Sequence, residues 1–494
     1  MKQVDQSLTR RVYFRGLGSV YLIAFLSLWV QVHGLIGSQG LLPAEGYFNV
    51  VHARFGAQAY RLVPSLCWFG CGDLALHLYC GAGAVLSLVL LLGFAPRMVL
   101  AALWAIYLSL TVAGQEFLGF QWDTLLLEMT LCSWLYAPRG WRPNWRANPT
   151  ALACWLLWGL AFKLMFLSGV TKLVSGDASW LDGTALQFHY YTQPIPSWPA
   201  WYVSQLPLVV HRVVVWILLI IEVAVPLLVF AGRRGRQVFG LSTIALMVAI
   251  EATGNFGFFN MQTIVLCLPL LNDGLLRNIF QRGAVEPVTV FGECSLYRCR
   301  AIQIAVALIL SASLLASVAE ISSTARAGRM PASIMTPIRC LDTALLSWGR
   351  PAVLEPLSPF RTINGYGLFR VMTTRRSELI IEVSDDGIDW TPCEFPYKPG
   401  QIDRAPPIVA PHMPRLDWQM WFAALDPRGQ QRWLSQLLIK LREGDPSTAR
   451  LLGNSGLSQH PPQHFRIVLY EYNFTSADQK ARTGAWWNRT RIGD

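Results

Sequence analysis

The chain has 494 residues, of which 53% are hydrophobic and only 14% charged. Soluble domains carry about 25% charge, so composition alone excludes an ordinary cytosolic enzyme. The formal charge of +11 rests on 41 basic residues, 35 of them Arg, and such an excess points either to nucleic acid or to a membrane.

Their distribution decides between the two. A bilayer crossing needs ~20 apolar residues, and nine stretches reach or approach that length. In chain order they are Leu17–Val32, Leu74–Leu92, Met98–Ala113, Thr124–Ala137, Ala151–Val170, Val213–Phe230, Val238–Ala252, Met261–Leu271 and Ile302–Ala319. The fourth and eighth are short and read as tilted, re-entrant or enclosed by neighbours. The first is not a cleaved signal peptide, because His33-Gly34-Leu35-Ile36-Gly37 and then further spans follow it. With the N-terminus inside, the inner segments hold fifteen Lys and Arg, whereas the outer loops hold four: Arg54, Arg61, Lys172 and Arg212. That bias orients the chain and explains much of the basic balance without nucleic acid, so membrane lipids rather than DNA or RNA are the expected partners. An odd number of crossings puts everything after Ala319 in the lumen or periplasm.

Residues 1–320 form the expected membrane domain, 321–333 a small, polar and basic linker, and 334–494 a soluble domain of its own. In that domain Tyr366–Thr373 and Glu378–Ser384 read as strands, with Arg375-Arg376 between them and a turn at Asp385-Asp386-Gly387. Arg415–Leu425 reads as a helix, with Trp418, Trp421, Phe422 and Leu425 as a core stripe. Gln431–Arg442 is a second helix and Phe465–Phe474 a late strand. The expected architecture is therefore a polytopic α-helical membrane protein of about nine transmembrane helices, with a C-terminal extracytoplasmic α+β or β-sandwich-like domain.

Of the ten cysteines, Cys80, Cys132, Cys154 and Cys267 lie in apolar spans, and Cys294 and Cys299 fall on the cytoplasmic, reduced side. Cys67, Cys71, Cys340 and Cys393 face the oxidising side, and Cys340–Cys393 is the candidate disulfide of the soluble domain. No zinc spacing is present, and no metal or cofactor is expected. Asn473-Phe-Thr475 and Asn488-Arg-Thr490 match the glycosylation sequon, a weak signal.

Ionisable groups inside a membrane cost ~2.5–3.5 kcal/mol each at a helix centre, which makes His77, Glu128, Lys163, Glu222 and Glu251 candidates either for function or for mutual pairing. Lys163 with Glu128 or Glu222 is the simplest neutral pair. Lys172 lies nine residues beyond Lys163, about 180° round a helix, so the two cannot share a face. Lys172 reads either as an interface anchor or as a desolvated base. In Pro406-Pro-Ile-Val-Ala-Pro-His412-Met-Pro-Arg415-Leu-Asp417-Trp418, a stiff loop runs into a helix. There Arg415 and Asp417 read as a structural pair at the helix start. The chain contains no G-x-S-x-G, no P-loop and no H-E-x-x-H.

Several blocks, in order along most of the chain, resemble the lipase maturation factor family. These are Leu35-Ile-Gly-Ser-Gln-Gly-Leu-Leu-Pro43, Gln121-Trp-Asp-Thr-Leu-Leu-Leu-Glu128, Thr253-Gly-Asn-Phe-Gly-Phe-Phe-Asn260 with Thr263-Ile-Val-Leu266, Pro406-Pro-Ile-Val-Ala-Pro411, Arg415-Leu-Asp-Trp-Gln-Met-Trp-Phe-Ala-Ala424 and Gly484-Ala-Trp-Trp487. Asp123, Asn255, Asn260, His412, Arg415, Asp417 and Trp418 are the motif residues this likeness singles out. The resemblance implies a folding factor for secreted lipases or similar exported clients, more a chaperone than an enzyme, set in the endoplasmic reticulum membrane of a eukaryote. In a bacterium it implies the cytoplasmic membrane. Trp486 and Trp487 are then candidate client contacts, with burial in a core as the competing reading.

A shorter block, Phe166-Leu-Ser-Gly-Val-Thr-Lys172-Leu with Trp180-Leu-Asp-Gly-Thr-Ala185, is similar to the membrane domain of vitamin-K-dependent γ-carboxylases. That likeness implies the alternative of an intramembrane enzyme acting on a lipid or quinone, with Lys172 as base.

Overall fold

Each apolar stretch forms a helix in the computed structural model, which describes residues 6–280, 296–328, 330–426, 429, 431–454 and 456–493. Lys2, Arg282 and Cys294, assigned above to the cytoplasmic side, lie outside the described residues, as do the side chains of Arg298 and Cys299. In chain order the helices are α1 (Ser7–Trp29), α2 (Asp73–Leu92), α3 (Pro96–Ala113), α4 (Gln121–Tyr136), α5 (Ala151–Val174), α6 (Leu208–Phe230), α7 (Gly232–Thr253), α8 (Phe259–Leu270) and α9 (Leu296–Ala327). Six are long and apolar enough to cross a membrane: α1, α2, α3, α5, α6 and the Arg300–Ala327 part of α9. Helix α4 has only 16 residues, but Trp122, Leu125, Leu126, Leu127 and Met129 are buried round its whole circumference. A helix buried on every side belongs in the middle of a bundle, and α4 lies there between α3, α5 and α8.

The bundle has two chemically distinct ends. At one end Gln6 donates to Leu271 O (3.2 Å), Thr9 and Leu8 donate to Asp273, Arg97 Nε donates to Ala137 O and Trp145 donates to Gly93 O. This end also carries Arg139, Arg142, Arg146, Arg233 and Arg277. At the other end the loops after α1, α3, α5 and α7 converge and receive the C-terminal region.

After α9 the chain is helical again over 332–360, a run broken into α, π and 3-10 turns by Pro337, Pro351, Pro356 and Pro359. It folds back along α9. Gly349 packs on Leu315, in the middle of α9, and Phe360 stacks on Trp104 of α3. The stretch read as linker is thus partly the end of α9, and the start of the region read as soluble lies against the last apolar helix. Its charged residues Arg339, Asp342, Arg350 and Glu355 dilute the hydropathy, and its prolines break the helix, so it does not read as a span.

From residue 362 onward a four-stranded antiparallel sheet forms in the order β2 (Thr391–Pro392), β1 (Arg376–Ser384), β3 (His464–Phe474), β4 (Trp487–Gly493). Helices α10 (Arg415–Leu425) and α11 (Arg432–Arg442) lie close to the expected positions. Helix α10 packs on β1 and also reaches the bundle through Arg415, Gln419 and Trp421, so nearly all of its side chains are buried. Only Phe422 and Leu425 of the expected stripe are exposed.

Two expectations are corrected. Tyr366–Thr373 is not a strand, because Tyr366 is drawn into the bundle to bond Glu128 and the chain then crosses the bundle end. Cys340 and Cys393 form no disulfide: Cys340 is exposed on the helical run beside α9, and Cys393 is buried against the sheet, both as free thiols.

Candidate functional site

Three buried polar clusters tie the C-terminal region to the bundle end. In the first, Arg415 at the start of α10 forms a two-pronged pair with Asp123 at the start of α4. Nη1 lies 2.9 Å from Oδ2 and Nη2 lies 2.8 Å from Oδ1. Arg415 Nη1 also donates to Phe117 O, and Tyr107 OH donates to Asp123 Oδ1 at 2.5 Å. Both charges are out of solvent, at 1% and 0% exposure. A buried charge is tolerated only when paired and hydrogen-bonded, and here the fork of the guanidinium matches the carboxylate. The residues before Arg415 are held by the end of α1. Ser27 Oγ accepts from Met413 N and lies 3.0 Å from His412 Nδ1, while Gln31 accepts from Arg415 N and donates to Met413 O. Burial, then the Arg415 charge, hold the His412 imidazole below its ordinary pKa.

The second cluster centres on Glu128. One carboxylate oxygen pairs with Lys163; the other accepts from Tyr366 OH at 2.6 Å and from the backbone and side-chain nitrogens of Asn364 at 3.2 Å. In the third, Asn255 beyond α7 acts as a double clip. Its oxygen accepts from Val409 N and Ala410 N, and its nitrogen donates to Pro407 O and Ile195 O. The Pro407–Ala410 part of the proline-rich loop is thereby fixed to the bundle by one side chain.

Lys172 lies elsewhere. Its ammonium donates to both oxygens of Glu222 (2.7 and 2.9 Å) and to Ser168 O (3.2 Å). Glu222 belongs to a π-helical turn, Ile220–Ala224, and approaches α5 at Gly169, where an added Cβ would lie 2.9 Å from Glu222 Cβ. Such turns recur at functional sites. Beside this pair is a cavity of about 330 Å3 lined also by Trp180, His189, Phe256, Asn260 and Phe369. Burial, with a contribution from Lys172, pushes the His189 pKa down to about 4.

The remaining sequence candidates are placed as follows. Glu251 accepts from Asn260 Nδ2 at 2.6 Å. His77 is exposed on α2; it accepts from Trp29 Nε1 at 2.7 Å and faces His33 Nε2 at 2.7 Å. Trp418 packs edge-on against Phe120, Trp122 and Phe256. Asp417 is not the partner of Arg415. It accepts from Tyr397 N and Lys398 N, and burial raises its carboxyl to about 6 against those bonds. Trp487 is buried, and Trp486 is covered by Trp201, Tyr202 and the Lys480 ammonium, so neither forms an open patch.

Sequence reasoning missed Tyr366, Asn364 and His189. It also missed the buried trio Arg376, Glu378 and Lys398, in which Arg376 donates to Tyr191 O and Pro194 O and so binds the sheet to the loop after α5. The available signal was the alternation in Arg376–Ser384, which places Arg376 and Glu378 on one face of a strand. Among the described residues no group of three or more His, Cys, Asp or Glu is arranged to hold a metal. The buried clusters are suited to fixing one region against another.

Comparison with known proteins supplies the rest. The lipase maturation factor transmembrane domain matches residues 8–278, and the lipase maturation factor C-terminal domain matches residues 362–494. The chain is 33% identical to lipase maturation factor 2 of Xenopus tropicalis, covering 99% of this chain and 82% of that protein. It is 31% identical to lipase maturation factor 2 of Homo sapiens, covering 98% and 81%. Identity to lipase maturation factor 1 of Mus musculus is 33%, over 98% of this chain and 86% of the relative. No solved structure matches the chain.

Proposed function

Because this chain belongs to the lipase maturation factor family, we propose that it is an integral membrane factor that brings a secreted lipase to its active form, acting through residues 362–494 outside the cytosol. The observation that carries this reading is likeness over nearly the whole chain, spanning both the bundle and the C-terminal region. The orientation rests on the end-to-end difference of the bundle. Arginine gathers at one end, the cytoplasmic signature, and the C-terminal region sits at the opposite end. Nine crossings, with α4 and α8 as short enclosed ones, bring α9 out at that same end. The compartment is then the endoplasmic reticulum membrane in a eukaryote and the cytoplasmic membrane in a bacterium.

The enzyme alternative gains nothing from the geometry. The Lys172 nitrogen is already engaged by both oxygens of Glu222 and by Ser168 O.

The test is co-expression of a secreted lipase with this protein in cells that lack their own factor. Secreted lipase activity per unit of lipase protein should rise several-fold; an unchanged ratio would refute the proposal. Protease added to sealed microsomes tests the orientation, since residues 362–494 should be digested only after the membrane is opened.

A further inference from the structure

Helices α6 and α7 pack together along Ile220–Phe230 and separate toward Leu208 and Thr253. The cavity of about 330 Å3 beside Lys172 fills the angle between them. Val214 of α6 and Ala249 of α7 both line it and both are exposed on the outer apolar face. Around them Val213, Ile217 and Val248 are each about half exposed. Helix α6 is among those able to cross a membrane, so this mouth faces lipid tails. Whatever enters does so from the bilayer.

Inside, Lys172 is paired with both oxygens of Glu222 and also bonds Ser168 O. The polar capacity left over among the lining residues includes His189, Asn260 and the Tyr190 hydroxyl. Phe369 and Phe256 hold the His189 ring, at 4.8 and 6.4 Å between centroids. Its Nδ1 is buried without a partner, and no described group bonds either ring nitrogen. Asn260 has its nitrogen committed to Glu251 and its oxygen unbonded. Buried polar groups in folded proteins are normally satisfied, so two unsatisfied ones at the wall of one cavity mark where a ligand's polar end belongs.

The geometry points to a binding site for one lipid of the surrounding bilayer that has a single alkyl or isoprenoid chain and an uncharged hydroxyl head, the chain lying between α6 and α7 and the hydroxyl at His189. The volume lies at the low end of the 300–1,000 Å3 typical of ligand pockets, which suits one chain rather than two. A carboxylate or phosphate head would meet no free cation in the cavity, whereas a hydroxyl can donate to one unpaired acceptor and accept from a donor.

The experiment uses the full chain in phosphatidylcholine nanodiscs and a monoacylglycerol carrying a diazirine in its chain. Labelling should saturate, map to 185–192, α6 and α7, and be displaced by unlabelled monoacylglycerol but not by the fatty acid anion of equal length. Ala249→Trp, an exposed substitution that closes the mouth, should lower labelling at least fivefold. His189→Phe should raise the half-displacing concentration about tenfold, as expected for one lost hydrogen bond. Labelling that never saturates, or that persists in Ala249→Trp, would mean annular lipid only and would overturn the site. Equal displacement by the fatty acid anion would overturn the assignment of an uncharged head. Neither result depends on the lipase client.

Discussion

Arg415 and Asp123 stand 292 positions apart in sequence and share one desolvated site. Removing one member of such a pair strands the other charge, at about 3–5 kcal/mol, whereas replacing both with apolar residues of similar volume is often neutral. Arg415→Ala and Asp123→Ala are each expected to lower the thermal midpoint of the detergent-solubilised protein sharply. Asp123→Leu combined with Arg415→Met should recover most of the loss; strictly additive losses would show the two sites to be independent. Asp417 gives a pH prediction. Its folded pKa of about 6 lies above the ordinary ~3.9. Between those values the folded protein therefore holds a proton that the unfolded chain has released, and stability falls as pH rises from about 4 to 6, then levels off. Asp417→Asn keeps an oxygen for Tyr397 N and Lys398 N, so it should flatten that part of the pH–melting profile without loss at pH 7.5. Asp417→Ala should cost about 1–3 kcal/mol per stranded N–H. The sequence marked Glu128, Lys163 and Glu222 as costly to bury, and it paired Arg415 with Asp417 rather than with Asp123. It could not name their partners: Lys163 was equally able to pair with Glu128 or Glu222, and only the packing of α4 on α5 selects Glu128.

At the scale of elements, apolar length was the readable quantity, and all nine apolar stretches are helices. Elements whose signal is diluted were not readable: the proline-broken run 332–360, and the 366–373 segment held by Tyr366 rather than by strand pairing. The π-helical turn around Glu222 was equally invisible, since hydropathy does not distinguish a π turn from an α turn. Its position depends on Gly169, where a Cβ would lie 2.5 Å from Val223 Cγ2 and 3.1 Å from the Glu222 carbonyl carbon. Gly169→Ala must therefore push α5 and α6 apart, at about 1–3 kcal/mol, and loosen the Lys172–Glu222 pair. Gly159→Ala, in the same helix, would place its Cβ 3.3 Å from a Leu310 side-chain methyl that can yield. Melting curves of the two variants should separate clearly; equal curves would mean the close approach at Gly169 is not needed.

For the molecule as a whole, composition suggested a bundle carrying a separate soluble appendage, yet one hydrophobic core runs from α1 through α10 and into β1. Long-range pairing of this kind leaves no trace in local hydropathy, so the attachment of the C-terminal region stayed hidden in the sequence. The consequence is testable by truncation. A chain ending at residue 361 would leave Asp123 buried without Arg415, strip Glu128 of Tyr366 and Asn364, and uncover the apolar surface beneath α10. Charge stranding alone approaches the 5–15 kcal/mol by which a typical protein is stable. The truncated bundle should therefore aggregate on extraction, and its failure to support lipase maturation would say nothing about client contact. Point changes on the exposed side of the region, such as Ile388→Asp at 80% exposure, should leave the stability within about 0.5 kcal/mol of native and so provide clean probes for a client surface. A monodisperse truncated bundle with a native melting profile would show instead that the two regions fold independently.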